Sequence, residues 1–154
     1  MRDKLIEALS LEDPRTLDSV KNVLLSVLED LRLSGQDRIG YISGIISSDG
    51  EENISRNVQR LSGYADAIQE LVNFPVFAPT DAINNNVYKS LDISVLPPAE
   101  REDSLNVFWS EVLGAGYITH MFATPRWEES RGAMNEHNIA KRMDIKIIYL
   151  GIEE

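Results

Sequence analysis

The apolar positions of this chain alternate between two periods. Leu17, Val20, Leu24, Val27, Leu28 and Leu31 recur at steps of three and four, the stripe of an amphipathic helix over residues 16–33. Ser34-Gly35 supplies its stop, and Asp13-Pro14 separates it from a shorter helical segment ending near Ser10. Residues 1–36 therefore read as an N-terminal helical extension whose stripe packs either into the domain core or against another copy. Arg38-Ile39-Gly40-Tyr41-Ile42-Ser43-Gly44-Ile45-Ile46 is a near-continuous apolar run with interleaved glycines, which predicts a buried strand. After a turn over 47–50, in which Ser48 or Asp49 can act as a cap, Ile54, Val58, Leu61, Ala65, Ile68 and Leu71 predict a helix over 51–72.

A short second strand is expected at 74–79, closed by Pro79. Residues 81–102 contain Asn84-Asn85-Asn86, Pro97-Pro98 and an acidic run from Glu100 to Asp103, the composition of an irregular insertion serving as a lid or contact surface. A helix over 104–113, a strand over 117–122, a helix from about 131 and a last, aliphatic and hence buried strand over 145–150 complete the pattern. Alternating strands and helices over 37–154 predict a single α/β domain: a doubly wound, mostly parallel sheet of the flavodoxin or Rossmann kind, with helices on both faces. Ligands bind such sheets beyond the carboxyl ends of the strands, so the turn at 43–50 and the loop at 124–131 should share one rim.

Charge and composition narrow the partners. Lys and Arg total 15 against 25 Asp and Glu, a net charge of -10, which opposes binding to polymeric nucleic acid and to anionic membranes. A small nucleotide stays compatible, because a pocket can supply backbone N–H groups whatever the global charge. The chain has no cysteine, which excludes disulfides, thiolate metal sites and cysteine nucleophiles. Its two histidines, His120 and His137, are assigned no metal. The first residues carry charge instead of a sustained apolar run, and no stretch of eighteen apolar residues occurs, so a cytoplasmic protein is expected.

One carboxylate breaks the pattern. In the helix from about Arg131, the core-facing stripe runs Ala133, Glu136, Ala140, Met143, placing Glu136 where an apolar residue belongs. Burying an ionised carboxylate costs several kcal/mol unless it is paired, hydrogen-bonded or protonated. Glu136 is thus either an acid, base or nucleophile, or an edge residue paired with Arg142 or another cation. Ser130 and Gly132 open the same helix, where unsatisfied N–H groups attract an anion; Ser130 alone is equally an N-cap. Trp109 and Trp127 suit stacking on a base or core packing.

Three segments, Tyr41-Ile42-Ser43-Gly44-Ile45-Ile46, Ser130-Arg131-Gly132 followed by Glu136, and Trp127-Glu128-Glu129-Ser130-Arg131-Gly132-Ala133, carry a resemblance to a known family. The chain resembles, over roughly 38–150, the nucleoside 2-deoxyribosyltransferase-like enzymes, which include the deoxynucleoside monophosphate N-glycosidases and small uncharacterised phage and bacterial domains. The resemblance implies that Glu136 attacks the anomeric carbon of a nucleoside or nucleotide, that Ser130 and Gly132 hold a 5′-phosphate, and that Tyr41 and Gly44 border base and sugar. It also implies that no cofactor is needed and that the protein is a homo-oligomer. The chain departs from the family where an Ala-Asp pair is expected and Ala115-Gly116 stands, with Asp103 and Glu111 the nearest acidic replacements. Ser47 stands where nucleotide hydrolases of this kind often have arginine.

Overall fold

The computed structural model describes residues 1–48 and 50–151. Among the described residues, seven helices and four strands follow in the order α1 (Arg2–Glu12), α2 (Leu17–Leu33), β1 (Gly40–Ser43), α3 (Ile54–Leu71), β2 (Val76–Phe77), α4 (Pro79–Ala82), α5 (Asn85–Ser90), α6 (Pro98–Gly114), β3 (His120–Ala123), α7 (Arg131–Arg142) and β4 (Lys146–Tyr149). The strands form one all-parallel sheet in the order β2-β1-β3-β4. The chain winds from β1 outward to β2, then returns across β1 to β3, so the winding direction reverses between β1 and β3. A crevice opens at the carboxyl ends of two strands wherever this reversal occurs.

Alternation along the strands divides the core in two. Tyr41, Phe77 and Met121 face one side and pack with Leu5 and Leu9 of α1, Val20, Leu24 and Leu28 of α2, Trp109 and Val112 of α6, and Ile139 and Ala140 of α7. Ile42, Val76 and Phe122 face the other side and meet Leu61, Ala65 and Ile68 of α3. Residues 1–36 therefore do not stand apart from the domain: their stripe fills its larger core. Asp13, in the left-handed conformation at φ 45°, ends α1, and the Thr16 hydroxyl accepts the Ser19 N–H at 3.1 Å to start α2. Such a cap contributes about 1 kcal/mol.

Several expectations change. Residues 81–102 are not an irregular insertion: α4, α5, a 3-10 turn at Asp92–Val95 and the first turn of α6 occupy them. Asn84, one of the three asparagines, accepts the Val87 N–H at 2.9 Å and starts α5. Pro98 opens α6, at a helix start, where a proline's missing N–H costs nothing. Val87, Leu91 and Ile93 anchor the segment in the core. The last strand, expected to be buried, lies at the sheet edge; Ile147 and Ile148 are half-buried and Tyr149 is exposed, because β3 alone pairs with it. The helix over 51–72 begins at Ile54 after a 3-10 turn, so Ser48 does not cap it; Asp49 lies outside the described residues. No helix among the described residues is long and apolar enough to cross a membrane.

Candidate active site

Helix α7 starts where Ser130 accepts the Ala133 N–H at 3.1 Å, the N-cap that its residue type predicts. The stripe then presents Ala133, Glu136 and Ala140 to the sheet, while Met143, beyond the helix end, is 40% exposed. Glu136 is only 7% exposed. Tyr41 and Ser43, two residues apart on β1, project to the same face and meet its carboxylate. The Ser43 hydroxyl donates to Oε1 at 2.7 Å and the Tyr41 phenol to Oε2 at 3.1 Å. Tyr41 is itself wedged between Phe77 and Trp109, with ring centroids at 5.4 and 5.2 Å.

Both partners of Glu136 are neutral. Arg142, the cation that the sequence offered, is exposed at the far end of α7. Burial pushes the Glu136 carboxyl up to about 7, and the hydrogen bonds from Ser43 and Tyr41 only partly oppose this. The Tyr41 phenol is raised well above its ordinary value by burial, by the Glu136 charge and by the hydrogen bond between them, so it remains a donor. A carboxyl poised near neutrality, with both oxygens oriented, can serve as nucleophile or as proton carrier. Ser43 went unassigned in the sequence, although alternation from Tyr41 within a strand places it on the same face.

The other expected residues fall in two groups. Ser130 and Gly132 lie at the N-terminus of α7, on the same carboxyl-end rim as Ser43. A Cβ at Gly132 would make ordinary contacts, the nearest with Asn106 Oδ1 at 3.4 Å, so packing does not demand glycine there. Gly44 is different: a Cβ would overlap Thr124 Oγ1 and meet Leu61 at 2.9 Å. Thr124 donates both its N–H and its hydroxyl to the Ser43 carbonyl, at 2.9 and 3.1 Å, and closes a tight seam between the ends of β1 and β3. Packing is thus sufficient reason for Gly44.

His120 sits at the opposite end of β3, against Phe74 and with Nδ1 2.7 Å from the Thr119 hydroxyl. Trp109 is core. Glu111 pairs with Lys21 and Asp103 is exposed on α6, so neither replaces the aspartate the resemblance calls for. Among the described residues no group of three or more His, Asp or Glu side chains is placed to hold a metal ion. A groove of about 750 Å³ lies between α1, α3 and the segment before β2, lined by Met1, Arg2, Ser62, Asp66, Phe74 and Asp81 among others, and Glu136 is not among its lining residues.

Fold and site together define a doubly wound α/β domain with a buried, hydroxyl-held carboxyl at its switch point. Compared with protein-family models, curated proteins and solved structures, the chain matches none of them.

Proposed function

We propose that the protein cleaves the N-glycosidic bond of a nucleoside or nucleoside 5′-monophosphate, with Glu136 as nucleophile. The observation that carries this reading is a buried carboxyl, held by two neutral hydroxyls, at the carboxyl ends of β1 and β3, where ligands enter such sheets. The ionised Glu136 oxygen bonds to the anomeric carbon as the carbon–nitrogen bond breaks, and the base leaves with the electron pair. Water, or the nitrogen of a second base, then attacks that carbon and displaces the carboxylate. When water attacks, its proton goes to the departed base or to solvent, and the sugar leaves with a hydroxyl. Ser43 and Tyr41 orient the carboxylate and spread its charge between attacks. Gly132, whose lack of a side chain the fold does not require, leaves the α7 N-terminus open to a sugar or phosphate oxygen. No cofactor enters these steps.

A second reading rests on the burial of Glu136, which lies outside the groove of about 750 Å³: a nucleotide-binding protein that recognises or sequesters its ligand without turnover. Release of free base from a panel of ribo- and deoxyribonucleosides and their monophosphates, by wild type and Glu136→Gln, separates the two. Release by wild type and not by the variant supports cleavage. Nucleotide-dependent thermal stabilisation of both proteins without release supports binding alone. Neither release nor stabilisation sinks both readings.

A further inference from the structure

Three rings that the proposed chemistry leaves unused meet beside the site. His137 follows Glu136 on α7 and points about a hundred degrees away from it, toward the sheet edge. It is 6% exposed. The Trp127 indole lies parallel on its imidazole, with centroids 4.1 Å apart and planes at 15°. Its Nε2 is 2.6 Å from the hydroxyl of Tyr149, the last residue of β4, and Tyr149 also tilts against Trp127 at 6.0 Å. Burial, with help from Lys141, lowers the His137 pKa, and the ring tautomer sets which of Nε2 and the Tyr149 hydroxyl donates.

Trp127 stands in the middle of the loop that joins β3 to α7. That loop is tied at its start by Thr124 to the Ser43 carbonyl and at its end by the Ser130 cap. Between them, Trp127 N–H donates to Thr124, Glu129 N–H to Arg126 and Ser130 N–H to Trp127. Arg126, at φ 67°, grips Glu129 with two nitrogens at 2.6 and 3.0 Å. To these short-range bonds Trp127 adds a contact with the body of the domain, through His137 of α7 and Tyr149 of β4.

We propose that His137 and Tyr149 are positioning residues that lock Trp127, and through it the loop presenting Ser130 and Gly132, to α7 and β4 before substrate arrives. This rests on the proposed reaction for its kinetic consequence and on geometry alone for its structural one. Two devices then divide the work: Tyr41 and Ser43 aim the nucleophile, while the ring stack sets the surface that binds the sugar or its phosphate. Preorganising a binding loop lowers the entropy lost on binding, so its loss appears first in KM.

Tyr149→Phe removes one hydroxyl from an exposed side chain, and Trp127→Leu removes the stack. Each is expected to raise KM about three- to tenfold, the worth of one such contact, with kcat and the pH–rate midpoint unchanged. Hydrogen–deuterium exchange on the same proteins, which needs no turnover, should show faster exchange at Trp127, Glu129, Ser130 and Ala133 only. A lowered melting temperature with unchanged KM and unchanged loop exchange would overturn the proposal in favour of a purely structural stack. A fall in kcat with a displaced pH–rate midpoint would overturn it by showing that the rings act on Glu136. Faster loop exchange in a protein that releases no base keeps the lock and discards the reaction.

Discussion

Glu136 and Asp81 are equally hidden, each 7% exposed, yet the fold treats them in opposite ways. Asp81, in the first turn of α4, receives the Ala78 N–H at 2.8 Å and the Arg2 guanidinium at 3.0 Å; Arg2 also holds Asp66 and Ser62 and so ties α1 to α3 and α4. Its carboxylate is answered by a cation and a backbone donor, the arrangement of a structural ion pair. Glu136 is answered, among the described residues, by two hydroxyls and no cation, and burial therefore dominates. The difference teaches that burial by itself does not mark a working carboxylate. What marks it is burial left uncompensated, which costs stability and leaves the group able to gain and lose a proton near pH 7.

The largest test of this contrast is catalytic. Glu136→Gln should lower base release by at least roughly a thousandfold, the loss expected when a nucleophile is deleted. Asp81→Asn, in steady-state assays at a temperature where it is folded, should keep kcat within about twofold, because it touches no reacting group.

The next effect is thermodynamic and opposite in sign for the two residues. For Glu136 the folded carboxyl titrates at about 7 against 4.5 in the unfolded chain. Between those values the unfolded state ionises and the folded state does not, so stability falls as pH rises from 4.5 to 7 and is level above. Removing the carboxyl should then stabilise Glu136→Gln over wild type by about 3 kcal/mol at pH 8, with the gain gone by pH 4.5. Urea unfolding at both pH values reads this directly. Asp81→Asn should instead destabilise at neutral pH by about 2 kcal/mol, since Arg2 keeps Asp66 but loses its more buried partner. A Glu136→Gln protein less stable than wild type at pH 8 would erase the contrast.

The smallest effect sharpens the site itself. Ser43→Ala removes the donor to Oε1, which opposes burial, so the pH–rate midpoint should move to higher pH while the melting temperature changes little. An unchanged midpoint would mean that the Ser43 hydrogen bond does not act on the titrating carboxyl.

Much of this was legible in the chain. The helix stripe alone places Glu136 on the sheet side, and strand alternation places Tyr41 with Ser43, because both periods follow from backbone geometry. Asp81 stands at the edge of a segment rich in Asn and Pro, whose composition reads as loop when the same residues serve as caps and helix starts. Nor could the sequence tell that Ile147 and Ile148 lie on an edge, since aliphatic density does not reveal strand order. The choice between Arg142 and neutral hydroxyls as partners of Glu136 is likewise a matter of which strand α7 crosses. Pairing across β1, β3 and β4 decides it, and that is a long-range property.

The most direct test of the account is the rate of free-base release by wild type and Glu136→Gln across pH 5 to 9, with the substrate that the panel selects. The account predicts a wild-type rate that rises through a midpoint near 7, where burial sets the Glu136 carboxyl, and a variant without activity at any pH. Equal release by the two proteins, or no release by wild type anywhere in that range, would contradict it.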